Sequence, residues 1–198
     1  MSFRAGIDVP GMAIARIAAR FYLAVALAGF VWHAVAQDSN DVWRRAPEQA
    51  WPELLIGPCY GLLLGLGIVQ VFRALEWHTD WLPKLHQEFR AILGRPSFLQ
   101  ATIIAGASAL GEEIFFRGAM LDAWGLTISS LAFALVHIPR RRSQFAWTIS
   151  AGILGFVLGE LTLLTGNLGA AVTAHFVINL LNISYITRRA PRRVTGTG

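Results

Sequence analysis

Long apolar runs without charge are the feature that most constrains this chain. Residues 54–72 contain no Asp, Glu, Lys or Arg, and roughly 20 apolar residues are what one helix needs to cross a bilayer. Of the 198 residues, 55% are hydrophobic and only 15% are charged, whereas an ordinary soluble domain has about 25% charged residues. This composition argues against a disordered chain and against a soluble globular enzyme, and it indicates a membrane protein.

Six apolar segments can be distinguished, and we predict a helix for each because strict alternation is absent and the runs are too long for barrel strands. They are residues 14–36, 54–72, 98–123, 126–138, 144–165 and 168–187. The first segment resembles a cleavable signal peptide, but five apolar segments follow it, so we expect a retained anchor. Close helix packing is predicted where glycines recur at small-residue spacing, which occurs at Gly61 and Gly65 and at Gly152, Gly155 and Gly159.

Residues 74–96 have a different pattern. Trp77, Trp81, Leu85 and Phe89 recur every four residues, with charged side chains between them. This pattern predicts an amphipathic stretch at the membrane interface, which Pro83 breaks into two pieces. The predicted fold class is therefore an all-α polytopic membrane protein with about six transmembrane helices and one amphipathic interfacial helix. We expect one integral-membrane domain over residues 1–198, with the N-terminal spans and interfacial helix in 1–96 and a basic cytoplasmic tail in 188–198.

The basic residues are distributed unevenly along this chain, whose net charge is +5. If the N-terminus lies inside and six spans alternate, 14 of the 17 Lys and Arg residues fall in inner segments. The positive-inside rule then predicts a multi-pass protein of the cell inner membrane with both termini in the cytoplasm. Because the charges lie between apolar runs, we expect the bilayer as a partner and no nucleic acid. The outer basic residues are Arg44, Arg45 and Arg117.

Ionisable residues within apolar segments are costly in lipid and mark candidate functional sites. Glu113 and Arg117 are four residues apart, so on a helix they share a face and can pair. Glu112 is rotated by about 100° from Glu113 and lacks this counter-ion. A carboxylate without a cationic partner is more basic than a paired one, which suits a general base.

The expected helical hairpin between the third and fourth segments brings a histidine to Glu112. Trp124-Gly125 is a plausible turn, with Glu112 12 residues before Trp124 and His137 12 residues after Gly125. At a rise of ~1.5 Å per residue, both side chains lie roughly 18 Å from the turn and can face each other. Phe133 is four residues before His137 and can form a wall of the same site.

The sixth segment carries His175 and Asn179, again four residues apart on one helical face. Asn182 and Glu160 are expected to have structural roles. The only cysteine, Cys59, excludes an intrachain disulfide and a cysteine-based zinc site. Ser108 lacks a nucleophile motif, and a serine on a membrane helix usually bonds its own backbone.

Water is therefore the expected nucleophile. Glu112 and His137 can take a proton from water, and His175 and Asn179 can donate hydrogen bonds to a developing oxyanion. We expect no cofactor and no metal. A zinc ion held by two histidines and two glutamates stays open as an alternative, although no HExxH motif is present.

Three motifs in order resemble those of the CPBP family of intramembrane proteases, which includes CAAX prenyl endopeptidases of the Rce1 type and the bacterial Abi proteins. They are EExxxR at Glu112-Glu113…Arg117, FxxxH at Phe133…His137, and HxxxN at His175…Asn179. The resemblance covers residues 97–187 as the catalytic core. It implies water activation by Glu112 and His137, an oxyanion hole of His175 and Asn179, and support from Glu113 and Arg117.

The implied activity is an intramembrane endopeptidase acting on a membrane-associated protein or peptide. One specific version is the trimming of C-terminal anchor segments of bacterial surface proteins. A non-catalytic membrane factor of the same family, such as an immunity or scaffold protein, remains the alternative of a different class.

Overall fold

The computed structural model describes residues 10–45, 51–138 and 145–188. Within these residues the fold is all-α, without a strand, as predicted from the sequence. A short π-helix over Ile114–Met120 joins α4 to α5 without a break. The α-helices are α1 (Pro10–Gln37), α2 (Trp51–His78), α3 (Trp81–Leu93), α4 (Phe98–Glu113), α5 (Leu121–Val136), α6 (Phe145–Thr165) and α7 (Gly169–Arg188).

Within the described ranges, five helical stretches are long and apolar enough to cross a membrane, and the prediction of a polytopic all-α membrane protein is confirmed. The count differs from six because the third and fourth predicted segments are counted together over Phe98–Val136, although the chain turns at Gly125 within this stretch. Residues 126–136 alone span only about 17 Å at ~1.5 Å per residue, against a bilayer core of about 30 Å. The other four stretches are Met12–Gln37, Leu54–His78, Phe145–Thr165 and Gly169–Arg188.

The predicted hairpin around Trp124-Gly125 is present. Gly125 leaves the helix with φ 78° and ψ 172°, a conformation that glycine adopts readily because it has no Cβ. The chain after this turn folds back along the helix before it. The Ser129 hydroxyl donates to the carbonyl oxygen of Phe116 over 2.7 Å, and the rings of Phe116 and Phe133 lie 5.1 Å apart. This pairing places α5 beside the π-helix that directly follows Glu113.

Small residues allow the helices to approach closely, as predicted. A Cβ added at Gly61 would collide with the carbonyl oxygen of Ala170, and one at Gly65 would lie 2.9 Å from that of Ala174. The backbones of α2 and α7 are therefore in direct contact. On α6, Gly155 packs in the same way against Phe133 and the backbone of Ser130.

The loops group at the two ends of the bundle as the predicted topology requires. At one end, the Arg45 amide donates to the Gly166 carbonyl over 2.9 Å, and the Leu168 amide donates to the Trp43 carbonyl over 3.0 Å. At the other end, Phe89 of α3 contacts Trp147 of α6. Which end faces the cytoplasm stays a prediction. The basic residues Arg4, Arg140, Arg141, Arg142, Arg189, Arg192 and Arg193, which helped to predict it, lie outside the described residues.

The interfacial helix begins later than predicted. Trp77 belongs to α2, and the chain breaks at Thr79 and Asp80 rather than at Pro83. Pro83 lies in the first turn of α3, where a helix tolerates proline because that turn's amides need no helical acceptor. The predicted break at Pro83 is therefore wrong.

The interfacial helix is fastened to the bundle by a polar contact. His86 Nδ1 lies 3.2 Å from Glu76 of α2, and the Tyr185 hydroxyl of α7 donates to the same carboxylate over 2.7 Å. Burial lowers the pKa of His86, although Glu76 partly opposes this. The ring is therefore neutral near pH 7, with its Nδ1–H donating to Glu76.

The close contact of α2 and α7 predicts opposite effects for two glycine substitutions on α2. Gly61→Ala should lower the melting temperature in detergent, because the new methyl group meets backbone that cannot move without separating the helices. Gly67→Ala should leave it unchanged or raise it, since no atom of the described residues lies within 4 Å of a Cβ there and alanine favours a helix over glycine by about 0.5–1 kcal/mol. Equal melting temperatures for the two variants would contradict this packing.

Candidate active site

A cavity of about 320 Å³ lies within the helix bundle. Most of its wall is apolar and comes from α3, α6 and α7. Its polar lining contains the four residues that the sequence analysis predicts as catalytic, together with Ser108, Tyr22 and a few other polar side chains. The four predicted residues are Glu112, His137, His175 and Asn179. Three helices separated in sequence thus bring these side chains to one space.

The predicted pair of Glu113 and Arg117 is present and fully buried. The Arg117 guanidinium donates to Glu113 Oε1 over 2.9 Å, and the exposed fractions of the two side chains are 1% and 0%. A second guanidinium N–H donates to the Gly155 carbonyl over 3.2 Å. The guanidinium carbon lies 4.3 Å from the centre of the Phe133 ring, a cation–π distance. Arg117 therefore joins the predicted acidic motif to α5 and α6.

His175 lies between the two glutamates. Its Nδ1 is 2.7 Å from Glu113 Oε1, and its Nε2 is 3.7 Å from Glu112 Oε2. Because an ionised carboxylate can only accept, the Nδ1–H donates to Glu113 and the Nε2 side faces Glu112. The contact of His175 with Glu113 was not predicted, since Glu113 was assigned to Arg117 alone.

Glu112 is the carboxylate that is left for chemistry. Its side chain lines the cavity although the residue is only 8% exposed. Within the described parts of the chain, its Oε2 atom has no hydrogen-bond partner. Glu113, by contrast, has Oε1 engaged by both Arg117 and His175. Glu113 Oε2 is likewise without a partner among the described residues, so the two carboxylates differ in that Glu113 pairs with Arg117 and Glu112 lines the cavity.

His137 is held in one orientation at the end of α5. Its Nδ1 lies 2.7 Å from the carbonyl oxygen of Phe133, which can only accept, so Nδ1 carries the proton. In the neutral ring this leaves Nε2 as a free acceptor. The Phe133 ring lies 4.5 Å from the His137 ring and 6.2 Å from the His175 ring. Phe133 therefore forms a wall between the histidines, as expected.

Asn179 reaches the cavity from α7 and is anchored on α4. Its Nδ2 donates to the Ser108 hydroxyl over 2.9 Å. Ser108 in turn donates to the carbonyl of Ala105 over 3.1 Å, which is the backbone bond expected for a serine on a membrane helix. Asn182 lines the same cavity, and its Oδ1 accepts no hydrogen bond from the described residues. The expected structural role of Asn182 stays a prediction.

Sequence reasoning missed two aromatic residues at the site. Tyr22 of α1 interacts with the Glu112 side chain, and a Cβ at Gly111 would lie 2.6 Å from the Tyr22 carbonyl oxygen. The Trp147 ring of α6 lies 5.3 Å from the His137 ring. Both residues occur in ordinary apolar runs, so no motif or spacing distinguishes them. Only the packing of α1 and α6 reveals their position.

No group of three or more His, Cys, Asp or Glu side chains in residues 10–45, 51–138 and 145–188 is arranged to hold a metal ion. Glu113, one of the four ligands in the zinc alternative, is engaged by Arg117 and His175 instead. The part of the chain that the structure describes therefore offers no zinc ligand set around Glu112.

The buried ion pair predicts a large loss of stability for Glu113→Gln. The neutral amide leaves the Arg117 charge uncompensated in the interior, and breaking such a pair costs about 3–5 kcal/mol. Reversible unfolding in mixed micelles of increasing denaturing detergent measures the difference. Glu160→Gln is the matched control, because Glu160 also lies on a membrane helix but outside the cavity. If both variants unfold at the same detergent fraction, the pair does not stabilise the fold.

Comparison with known proteins agrees with the geometry. The family model described as Type II CAAX prenyl endopeptidase Rce1-like matches residues 94–181, a range that includes all three motifs. A Bacillus subtilis (strain 168) protein named "Uncharacterized protein YpbD" is 39% identical over 121 residues, which cover 61% of this chain and 64% of that protein. The match thus spans less than two thirds of the relative. No solved structure gives a significant match. Residues 94–181 therefore form an Rce1-like region. The Rce1-like family is made up of intramembrane proteases. The resemblance predicted from the three motifs is confirmed.

Proposed function

We propose that this protein is an intramembrane endopeptidase that hydrolyses a peptide bond with water activated by Glu112. The observation that carries the proposal is the different state of two neighbouring glutamates. Glu113 Oε1 is bound by Arg117 and His175, whereas the Glu112 side chain lines the cavity and keeps its Oε2 unbonded by the described residues. Glu113 Oε2 is also unbonded there, so the difference lies in the Arg117 counter-ion and in the access to the cavity. A buried carboxylate with a free oxygen, beside a histidine, is suited to accept a proton from water.

The proposed reaction begins with a water molecule in the cavity between Glu112 and His137. Glu112 takes one proton from this water. The free Nε2 of His137 accepts a hydrogen bond from the other O–H of the water and so orients it. The water oxygen attacks the peptide carbonyl carbon and forms a tetrahedral oxyanion. When the C–N bond breaks, Glu112 returns its proton to the leaving amine. The proton balance therefore closes on a single carboxylate.

His175 and Asn179 are proposed to stabilise the oxyanion. Glu112 and Glu113, when ionised, carry one negative charge more than Arg117 compensates. A proton on His175, between the two carboxylates at 2.7 and 3.7 Å, makes this cluster neutral. Nε2–H of the imidazolium then donates toward the cavity, and the second amide hydrogen of Asn179 does the same. Two donors preorganised in a site with little water stabilise developing negative charge.

The cavity wall supports a hydrophobic, membrane-associated protein or peptide as the substrate. Phe72, Leu85, Phe89, Trp147 and Ile183 are among its apolar lining residues. These residues lie toward the end of the bundle that the basic residues place in the cytoplasm. We propose that the protein resides in the cell inner membrane with both termini in the cytoplasm. The trimming of C-terminal anchor segments of surface proteins is the specific activity that we propose for this site.

Glu112→Gln tests the proposed base directly. The amide keeps the size of the side chain but cannot accept the proton, so cleavage of an internally quenched peptide library by the purified protein should fall to background. Melting temperature and membrane yield should remain near those of the unaltered protein. Glu160→Gln is the matched control and should cleave normally.

Two results would reject this mechanism. Cleavage by Glu112→Gln at the normal rate would show that Glu112 is not the base. One tightly bound zinc per chain, with activity lost on its removal and restored on its return, would favour the metal-dependent alternative. A protein that cleaves no member of the library, and no membrane protein in a comparison of deletion and parent strains, would instead support a scaffold role.

A further inference from the structure

The hydroxyl group of Ser108 lies between two elements of the proposed site. Ser108 is buried on α4, with 5% of its surface exposed, and it precedes Glu112 by one helical turn. Its Oγ donates to the Ala105 carbonyl over 3.1 Å and accepts from Asn179 Nδ2 over 2.9 Å. We propose that Ser108 is a positioning residue that fixes the orientation of the Asn179 amide for oxyanion stabilisation. This inference rests on the proposed function, because Asn179 must contribute to the reaction.

The direction of the two hydrogen bonds determines how the amide is turned. An asparagine amide can rotate by half a turn and exchange its Oδ1 acceptor for its Nδ2 donor. A serine hydroxyl has only one proton, and in Ser108 the Ala105 carbonyl receives it. Ser108 can therefore only accept from Asn179, which requires Nδ2 on the α4 side. The second Nδ2 hydrogen remains available to the cavity that Asn179 lines.

Loss of this hydroxyl removes the preference between the two amide orientations. In the flipped orientation, Oδ1 would stand where the donor is needed and would repel an oxyanion. Ser108 also shares a helical face with Glu112, about 6 Å away along the helix axis. The serine therefore holds the α7 donor about one helical turn from the α4 base. Such an effect acts on the transition state more than on substrate binding.

The same two bonds explain why Ser108 is not itself the nucleophile. Its proton points to the Ala105 carbonyl, and an oxygen lone pair is occupied by the Asn179 amide. No histidine or lysine is bonded to its oxygen within the described residues, so no base is in place to remove the proton.

The test is a double-mutant cycle with Ser108→Ala, Asn179→Ala and the combined variant. The probe is the peptide that the unaltered protein cleaves best in an internally quenched library, and kcat and KM are measured in detergent. Ser108→Ala should lower kcat roughly fivefold to tenfold, as for the loss of one hydrogen bond, and leave KM within about twofold. The combined variant should be no slower than Asn179→Ala, since Ser108 acts through Asn179.

Thr102→Val is the matched control. The Thr102 hydroxyl lies on the same helix as Ser108 and donates to the backbone carbonyl of Phe98. The variant that lacks it should cleave at the normal rate. Ser108→Thr retains the oxygen and should recover kcat relative to Ser108→Ala. Melting curves for all variants should agree closely, because a purely structural role would change stability rather than kcat alone.

Three outcomes would overturn the inference. In the first, Ser108→Ala keeps the normal kcat while Asn179→Ala is impaired, so the proposed oxyanion hole survives and only the positioning role fails. In the second, the losses multiply in the combined variant, which means that the two residues act independently. In the third, Asn179→Ala cleaves normally, and the oxyanion role in the proposed function fails together with this inference.

Discussion

A buried arginine on a membrane helix requires a carboxylate, and the bond between Arg117 and Glu113 is the interaction on which the rest of the site depends. Glu113 Oε1 accepts a hydrogen bond from Arg117, and the same oxygen also accepts one from the Nδ1–H of His175. That bond turns Nε2 of His175 toward Glu112. One ion pair thus distinguishes two adjacent glutamates, one held by Arg117 and one that lines the cavity, and it orients the histidine between them.

The sequence was sufficient for the helical fold and for the turn at Gly125, because long apolar runs and a glycine between them are local signals. It was not sufficient for the break before α3. The period of four from Trp77 to Phe89 continues through Thr79 and Asp80, so the pattern alone does not show that Trp77 belongs to one helix, which ends at His78, and that Trp81 begins the next. The π-helix over Ile114–Met120 also has no sequence signal. There, Gly118 and Phe116 offer carbonyls to His33 and Ser129, and π-turns often occur near functional sites.

Part of the candidate site could likewise be predicted from the sequence, and part could not. Spacing by four along a helix predicted the Glu113–Arg117 pair and placed Phe133 beside His137. The hairpin argument predicted that Glu112 and His137 share a cavity, which they line together. Residue spacing within one helix or hairpin does not predict contacts between helices that are far apart in the sequence. The bond from His175 to Glu113 joins residues 62 positions apart, and Tyr22 and Trp147 come from helices whose packing against the motifs has no local signal.

The central claim is that water, and not a side chain, attacks the peptide bond. Cleavage of a peptide in ¹⁸O-labelled water containing hydroxylamine tests it most directly, with mass spectrometry of the new C-terminus. The account predicts only a free acid that carries one ¹⁸O atom, since no acyl-enzyme exists for hydroxylamine to intercept. A hydroxamate product, or a peptide fragment trapped on Ser108, would contradict it.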